Sequence, residues 1–145
     1  MNDYCEFQID HGFYVVPMIL VREVLQVPLL SPVPLAPTIL LGMTCHRGEV
    51  LPVFEIKSLL TSDHTENPSP ARTRTLVLAH DETVLGLQVD QISRISAPDN
   101  IEPEVPQETP PLWSLFQTKE GSRNLRLIHL DRLVFVLNSL LQEHA

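Results

Sequence analysis

Cysteine is nearly absent: Cys5 and Cys45 are the only two in 145 residues, and they form no CxxC pair and have no histidines at zinc-finger spacing. Neither a disulfide framework nor a structural zinc site is signalled, and a reducing, cytoplasmic compartment is the expectation. Basic charge is also scarce, with 10 Lys and Arg against 18 Asp and Glu and a net charge of -8. Nucleic acid is not the expected partner, because phosphate binding needs clustered Lys and Arg to release counterions. Long apolar runs are missing as well. No stretch approaches the roughly 20 residues of a membrane span, and Met1-Asn2-Asp3-Tyr4-Cys5-Glu6 carries acids where a secretory signal has a basic stretch. Direct membrane insertion is therefore not expected, and any membrane association would come through partners. The sequence also has no Gly-rich phosphate loop, metal-ligand cluster or paired-carboxylate motif, so no cofactor, metal or common enzymatic chemistry is expected.

What is present is apolar and frequently interrupted. The hydrophobic fraction is 43% and the charged fraction 19%, enough apolar content for one globular domain. Thirteen prolines break the chain, and Val and Ile recur between them, a combination that favours short strands over long helices. The expected class is all-β with short helices.

Cys5-Glu6-Phe7-Gln8-Ile9-Asp10 alternates, His11-Gly12 turns, and Phe13-Tyr14-Val15-Val16 resumes, which reads as a hairpin with Phe7 and Ile9 facing inward. Leu20, Val21, Val24 and Leu25 fit helical spacing, so 19–25 is read as a helical turn rather than a strand. Proline-rich 27–37 is an extended edge or loop leading into 39–42. Strands around 43–45 and 50–54 flank the tip His46-Arg47-Gly48-Glu49, and 55–60 has room for one or two helical turns. By composition, 61–73 is a mobile surface loop. Segments 74–79 and 84–89 bracket another hairpin, and 92–95 continues the sheet. The stretch 96–111 is acidic and proline-rich, an irregular crossing. Leu133-Val134-Phe135-Val136-Leu137 fits a helix or a strand; it is read as a strand paired with 125–130, with Asn138 capping a short helix to Glu143.

Several motifs then fall in a recognisable order. Gly42-Met43-Thr44-Cys45-His46-Arg47-Gly48-Glu49-Val50-Leu51-Pro52-Val53-Phe54-Glu55-Ile56 resembles the signature of CheW-like domains, with Cys45 in place of the family's Asn and Glu55-Ile56 in place of Asp-Leu. Tyr14-Val15-Val16-Pro17 with Val21-Arg22-Glu23-Val24, the Pro34-Leu35-Ala36-Pro37 approach, Gly86-Leu87-Gln88-Val89-Asp90-Gln91-Ile92 and Asp131-Arg132-Leu133 to Asn138 are similar to its other segments. The resemblance implies two small five-stranded SH3-like β-barrels packed around a shared core, with a groove between them. The first barrel would span roughly 14–75 and the second roughly 76–137 with the N-terminal strand, followed by a short helix over roughly 138–143. It also implies a cytoplasmic scaffold of bacterial chemotaxis signal transduction, held at membrane receptor arrays by its partners. Those would be the regulatory domain of a CheA-type histidine kinase and the cytoplasmic tip of a methyl-accepting chemoreceptor. The equivalent adaptor of a type IV pilus motility or phototaxis pathway is the alternative.

On this reading Arg47, Gly48, His46 and Glu49 form the partner-binding tip, where a guanidinium can grip a partner's carboxylate. The competing role for Arg47 is an internal ion pair, with Glu23 as the candidate acid. Glu23, Gly42, Pro52, Gly86 and Asp90 are read as structural, Asp90 accepting backbone hydrogen bonds at the bend before Ile92, and Gly48 doubles as a turn residue needing positive φ. Cys45 is expected to be buried and inert. A remote alternative is a small Cys/His hydrolase using Cys45 or His129, the latter oriented by Asp131 on the same strand face. A Cys45→Ser, His129→Ala double variant is expected to keep full function, and lost function would restore the hydrolase.

Overall fold

Strict alternation in the first strand sets the architecture, because successive side chains of a strand point to opposite faces. The structure, a computed structural model, describes residues 3–60, 71–96, 101–102, 112–118 and 124–143; for 96, 101–102, 113–118 and 124 the backbone alone is described. In β1 (Tyr4–Ile9), Cys5, Phe7 and Ile9 are buried on one face, and β2 (Gly12–Pro17) adds Tyr14 and Val16 beside them. Phe7 and Tyr14 stack, with ring centroids 6.1 Å apart. The opposite face of β2 carries Val15, which packs with Leu125 in a separate cluster.

A 3-10 turn (Met18–Leu20) leads into β3 (Val21–Leu25), which pairs antiparallel with β6 (Arg74–His80). The residues read as a helical turn thus form an edge strand after a single tight turn. Their apolar spacing fits both structures, and only the ladder to β6 separates them. The other strands of this sheet are β4 (Leu40–His46), β5 (Glu49–Phe54) and β7 (Thr83–Val89), in the order β3-β6-β7-β5-β4. The second sheet adds β8 (Gln91–Ser96), β9 (Ile101–Glu102), β10 (Trp113–Thr118) and β11 (Asn124–Ile128), in the order β8-β1-β2-β11-β10-β9. Each sheet has one parallel contact, β5 with β7 and β2 with β11. The fold is two small SH3-like barrels, the second sheet counting six strands because of the two-residue β9.

Three apolar clusters match this arrangement. Leu51, Val53 and Val77 fill the first barrel, Val15 and Leu125 the second. The largest cluster lies between them and joins Phe7, Tyr14, Leu76, Leu78 and Leu87 from both sheets. The expected shared core is therefore present. The expected division near residue 75 is not where the sheets divide: β6 and β7 belong with β3–β5, and β2 belongs to the other sheet. Hairpin partners follow ladder hydrogen bonds, and these carry the first sheet on to Val89.

The C-terminal reading is corrected as well. Residues 133–137 lie within helix α2 (Leu130–Glu143), and the partner of β11 is β10. Leu130, Leu133 and Leu137 are buried, with Val134, Leu140 and Leu141 against the same core, the i, i+3, i+4, i+7 stripe of a half-buried helix. Phe135 faces out, 60% exposed, under the Arg132 guanidinium, 5.0 Å from the ring centroid. β11 has neighbours on both sides, β10 and β2, so it offers no free edge to another strand. Asn138 consequently sits inside the helix and caps nothing. The smaller helix α1 (Lys57–Leu60) falls within the expected helical turns. Residues 61–70 of the expected loop and most of 96–111 lie outside the described residues, as do the side chains of Trp113, Leu115 and Phe116.

Leu133 is fully buried against the shared core, so Leu133→Ala is expected to cost about 2–5 kcal/mol in chemical denaturation. Phe135→Ala should cost less than about 1 kcal/mol, since its ring is largely solvated. Equal losses at the two positions would contradict the orientation of α2.

Candidate functional site

The strands β4 and β5 meet at a two-residue turn, Arg47-Gly48, closed by the His46↔Glu49 pair. Both turn residues have positive φ, +52° at Arg47 and +80° at Gly48. That is the requirement of a type I′ turn, whose twist matches the flanking strands. Glycine takes this conformation freely, whereas a residue with a Cβ gives up about 1–2 kcal/mol there. Arg47 is thus held in a costly conformation at the outermost point of the hairpin.

Its side chain is anchored on one side. Arg47 Nε donates to Glu23 Oε2 at 3.2 Å, and His46 Nε2 lies 2.8 Å from the same oxygen. The arginine is 78% exposed, His46 21% and Glu23 32%. Among the described residues the guanidinium is engaged through Nε alone, so its two terminal nitrogens face solvent as a fork suited to a carboxylate. Both expected roles of Arg47 are therefore compatible, the ion pair with Glu23 serving to aim the group. Partial burial alone would raise the Glu23 carboxyl, but the hydrogen bonds and positive charge of Arg47 and His46 outweigh it and hold the group below 4.5.

Beside this cluster lies a cleft of about 340 Å³. Arg22, Glu23, His46, Arg47 and Glu49 form its charged rim, and Leu51, Val77 and Val84 its apolar floor, with Val50 exposed at the edge. Such a site combines a few aimed polar groups with an apolar base, the arrangement of a recognition surface. A second, more open cleft of about 420 Å³ runs between the edge strands β3 and β8, with Val24 and Ile92 on opposite sides and Arg72 and Arg74 at one end.

The residues read as structural are each explained by local contacts. A Cβ on Gly42 would lie 2.7 Å from the Ser31 carbonyl oxygen, where Ser31 and Met43 exchange backbone hydrogen bonds. On Gly86 it would press against Thr75 and Val53, each 3.0 Å away in the strands on either side. Pro52 sits one residue before the β5–β7 ladder starts at Val53, a position that tolerates a missing N–H. Asp90 accepts a backbone hydrogen bond not from its own bend but from Asp10 N at 2.7 Å, in the β1–β2 turn.

Other groups escaped the sequence reading. Lys57 Nζ lies 3.1 Å from Asp90 and 3.8 Å from Asp10, tying α1 to both carboxylates. Glu6 is fully buried and pairs with Arg94 across β1 and β8 at 2.9 Å. Lys57 is 33 residues from Asp90 and 47 from Asp10, and Glu6 is 88 from Arg94, so no local pattern marks these pairs. Cys45 is exposed, against expectation, because its strand position faces away from the barrel interior; the buried thiol is Cys5, pushed up by desolvation and by the Glu6 carboxylate beside it. His129 precedes α2 and Asp131 lies in its first turn, so they share no strand face. Among the described residues no group of three or more His, Cys, Asp or Glu is placed to hold a metal ion, and no helix is long and apolar enough to cross a membrane.

Twin barrels around one core, with an aimed arginine at the mouth of a cleft, define a recognition module. The family model for the CheW-like domain matches residues 3–136, and this chain belongs to that family. Protein FrzA of Myxococcus xanthus is 31% identical over 124 residues, covering 82% of this chain and 76% of FrzA. The crystal structure of the scaffolding protein TtCheW from Thermoanaerobacter tengcongensis shares the fold, with a TM-score of 0.72, 20% identity and 88% coverage of both chains.

In a carbon-13 NMR titration the Glu23 carboxyl should titrate below 4.5 in the parent protein and move up toward that value in Arg47→Ala. Because the folded value is depressed, the pairing stabilises the fold above the unfolded value and loses its effect as pH falls through the folded one. Asp90→Ala should cost about 1–3 kcal/mol in denaturation, since it strips a part-buried N–H of its acceptor. Asp90→Asn keeps an acceptor oxygen and should cost less.

Proposed function

We infer that this protein is a non-enzymatic adaptor that couples methyl-accepting chemoreceptors to a CheA-type histidine kinase. The observation that carries the reading is Arg47, tethered through Nε to Glu23 with its terminal nitrogens open to solvent, on a chain of the CheW-like family. The tip His46, Arg47, Gly48 and Glu49 meets the kinase's regulatory domain, with the adjoining apolar cleft taking a side chain from the partner. The cleft between β3 and β8 receives the receptor's cytoplasmic tip in the helix-in-groove manner, its Val24 and Ile92 meeting the apolar stripe of a helix. Membrane arrays are reached through these partners, and the protein works in the cytoplasm. The fold shared with the scaffolding protein TtCheW supports the same direction.

Calorimetry with the cognate kinase regulatory domain and a receptor-tip peptide tests this. Arg47→Glu is expected to weaken kinase-domain binding at least about tenfold, the loss typical of a charge reversed at a contact. A surface ion pair contributes little to stability, so the melting temperature should fall by less than about 4 °C. Absence of binding by the parent protein to either partner at micromolar concentration would refute the adaptor reading.

A further inference from the structure

The turn at the tip holds one carboxylate oxygen between two donors. Glu23 Oε2 lies 2.8 Å from His46 Nε2 and 3.2 Å from Arg47 Nε, so the imidazole has the shorter contact and the guanidinium the longer. Arg47 is fixed in backbone by its left-handed φ of +52°, and among the described residues it is Glu23 that orients its far end. His46 is the last residue of β4 and is largely shielded, which makes it the more rigid of the two donors.

We propose that His46 is a positioning residue for Arg47, and that protonation of its imidazole strengthens the tip's grip on an acidic partner. The proposal rests on the adaptor reading for the partner, and on the tip geometry alone for the coupling. Nε2 must carry a hydrogen to donate to the carboxylate, and it does so in both the neutral and the protonated ring. The contact therefore survives titration, and only the charge on the imidazole changes. A protonated His46 draws Glu23 more strongly and so fixes the carboxylate that aims the guanidinium at a carboxylate on the partner. It also adds a positive charge to the rim. Both effects have one sign: binding is tighter at low pH and weakens as pH rises through the histidine range, roughly pH 5 to 8.

The other groups facing His46 are Arg22 and Glu23 on β3, Glu49 opposite it on β5, and Arg47 in the turn, while β6 and β7 contribute only Val77 and Val84. Among these groups His46 is the one imidazole.

Two measurements test the coupling, each on the parent protein and on His46→Gln, which retains a donor without a titratable charge. The first needs no partner: the Arg47 Nε–H resonance, followed by NMR from about pH 5.5 to 8, should show an inflection in the parent and none in the variant. The second is affinity for the kinase regulatory domain over the same range, expected to fall about two- to fivefold with rising pH in the parent and to stay flat in His46→Gln. An identical pH dependence in both proteins, or a parent Arg47 resonance that ignores pH, would overturn the proposal. If the parent binds no kinase domain at any pH, the adaptor reading fails, and the resonance experiment still decides whether His46 governs Arg47.

Discussion

Apolar surface shared between two sheets holds this molecule together. Among the described residues the fully buried cluster inside each barrel is small, Leu51, Val53 and Val77 in the first and Val15 and Leu125 in the second. Apolar burial is what offsets the entropy of ordering a chain, so the large cluster between the barrels carries most of it among these residues. The surface between them joins the faces of β1, β2, β6 and β7 and is closed by α2, with Phe7, Tyr14, Leu76, Leu87 and Leu133 almost fully removed from water. The two barrels thus form one cooperative body, and the edges β3 and β8 are brought near one another with a cleft between them.

That body leaves a hairpin tip at its periphery. The Arg47-Gly48 turn lies at the end of a hairpin whose pairing runs from Leu40↔Phe54 to His46↔Glu49. The long ladder carries a left-handed arginine that the turn alone would disfavour. Glu23 arrives from another strand, 24 residues away, and converts a flexible side chain into an aimed one. The deeper polar contacts have a different task. Asp90, Asp10 and Lys57 join the β1–β2 turn, the end of β7 and α1, while Glu6 and Arg94 join β1 to β8. They fix how the strands meet, since a buried polar group without its partner is costly.

Much of this was legible along the chain. The first hairpin, the β4–β5 tip, the β6–β7 hairpin and β8 follow from alternation bounded by turn residues, which is local information. Gly42, Gly86 and Asp90 stand out by their motif context, and the structure shows what meets each: a carbonyl at one glycine, two side chains at the other, a backbone N–H on the acid. The errors fall where local pattern is degenerate. Residues 19–25 and 133–137 satisfy two periodicities each, and pairing partners chose between them. Cys45 is exposed where burial is expected, because its neighbours in sequence do not say which face of β4 meets the interior.

From the order of its residues alone, this chain is determined to be a strand-rich, acidic domain with an arginine-glycine tip, because alternation, proline placement and turn chemistry act over a few neighbouring residues. Which strands share a sheet, that the C-terminus is a helix covering the common core, and that Glu23 and His46 converge on Arg47 were decided by tertiary structure. Those outcomes depend on contacts between residues tens of positions apart, whose energies exist only once the sheets have packed.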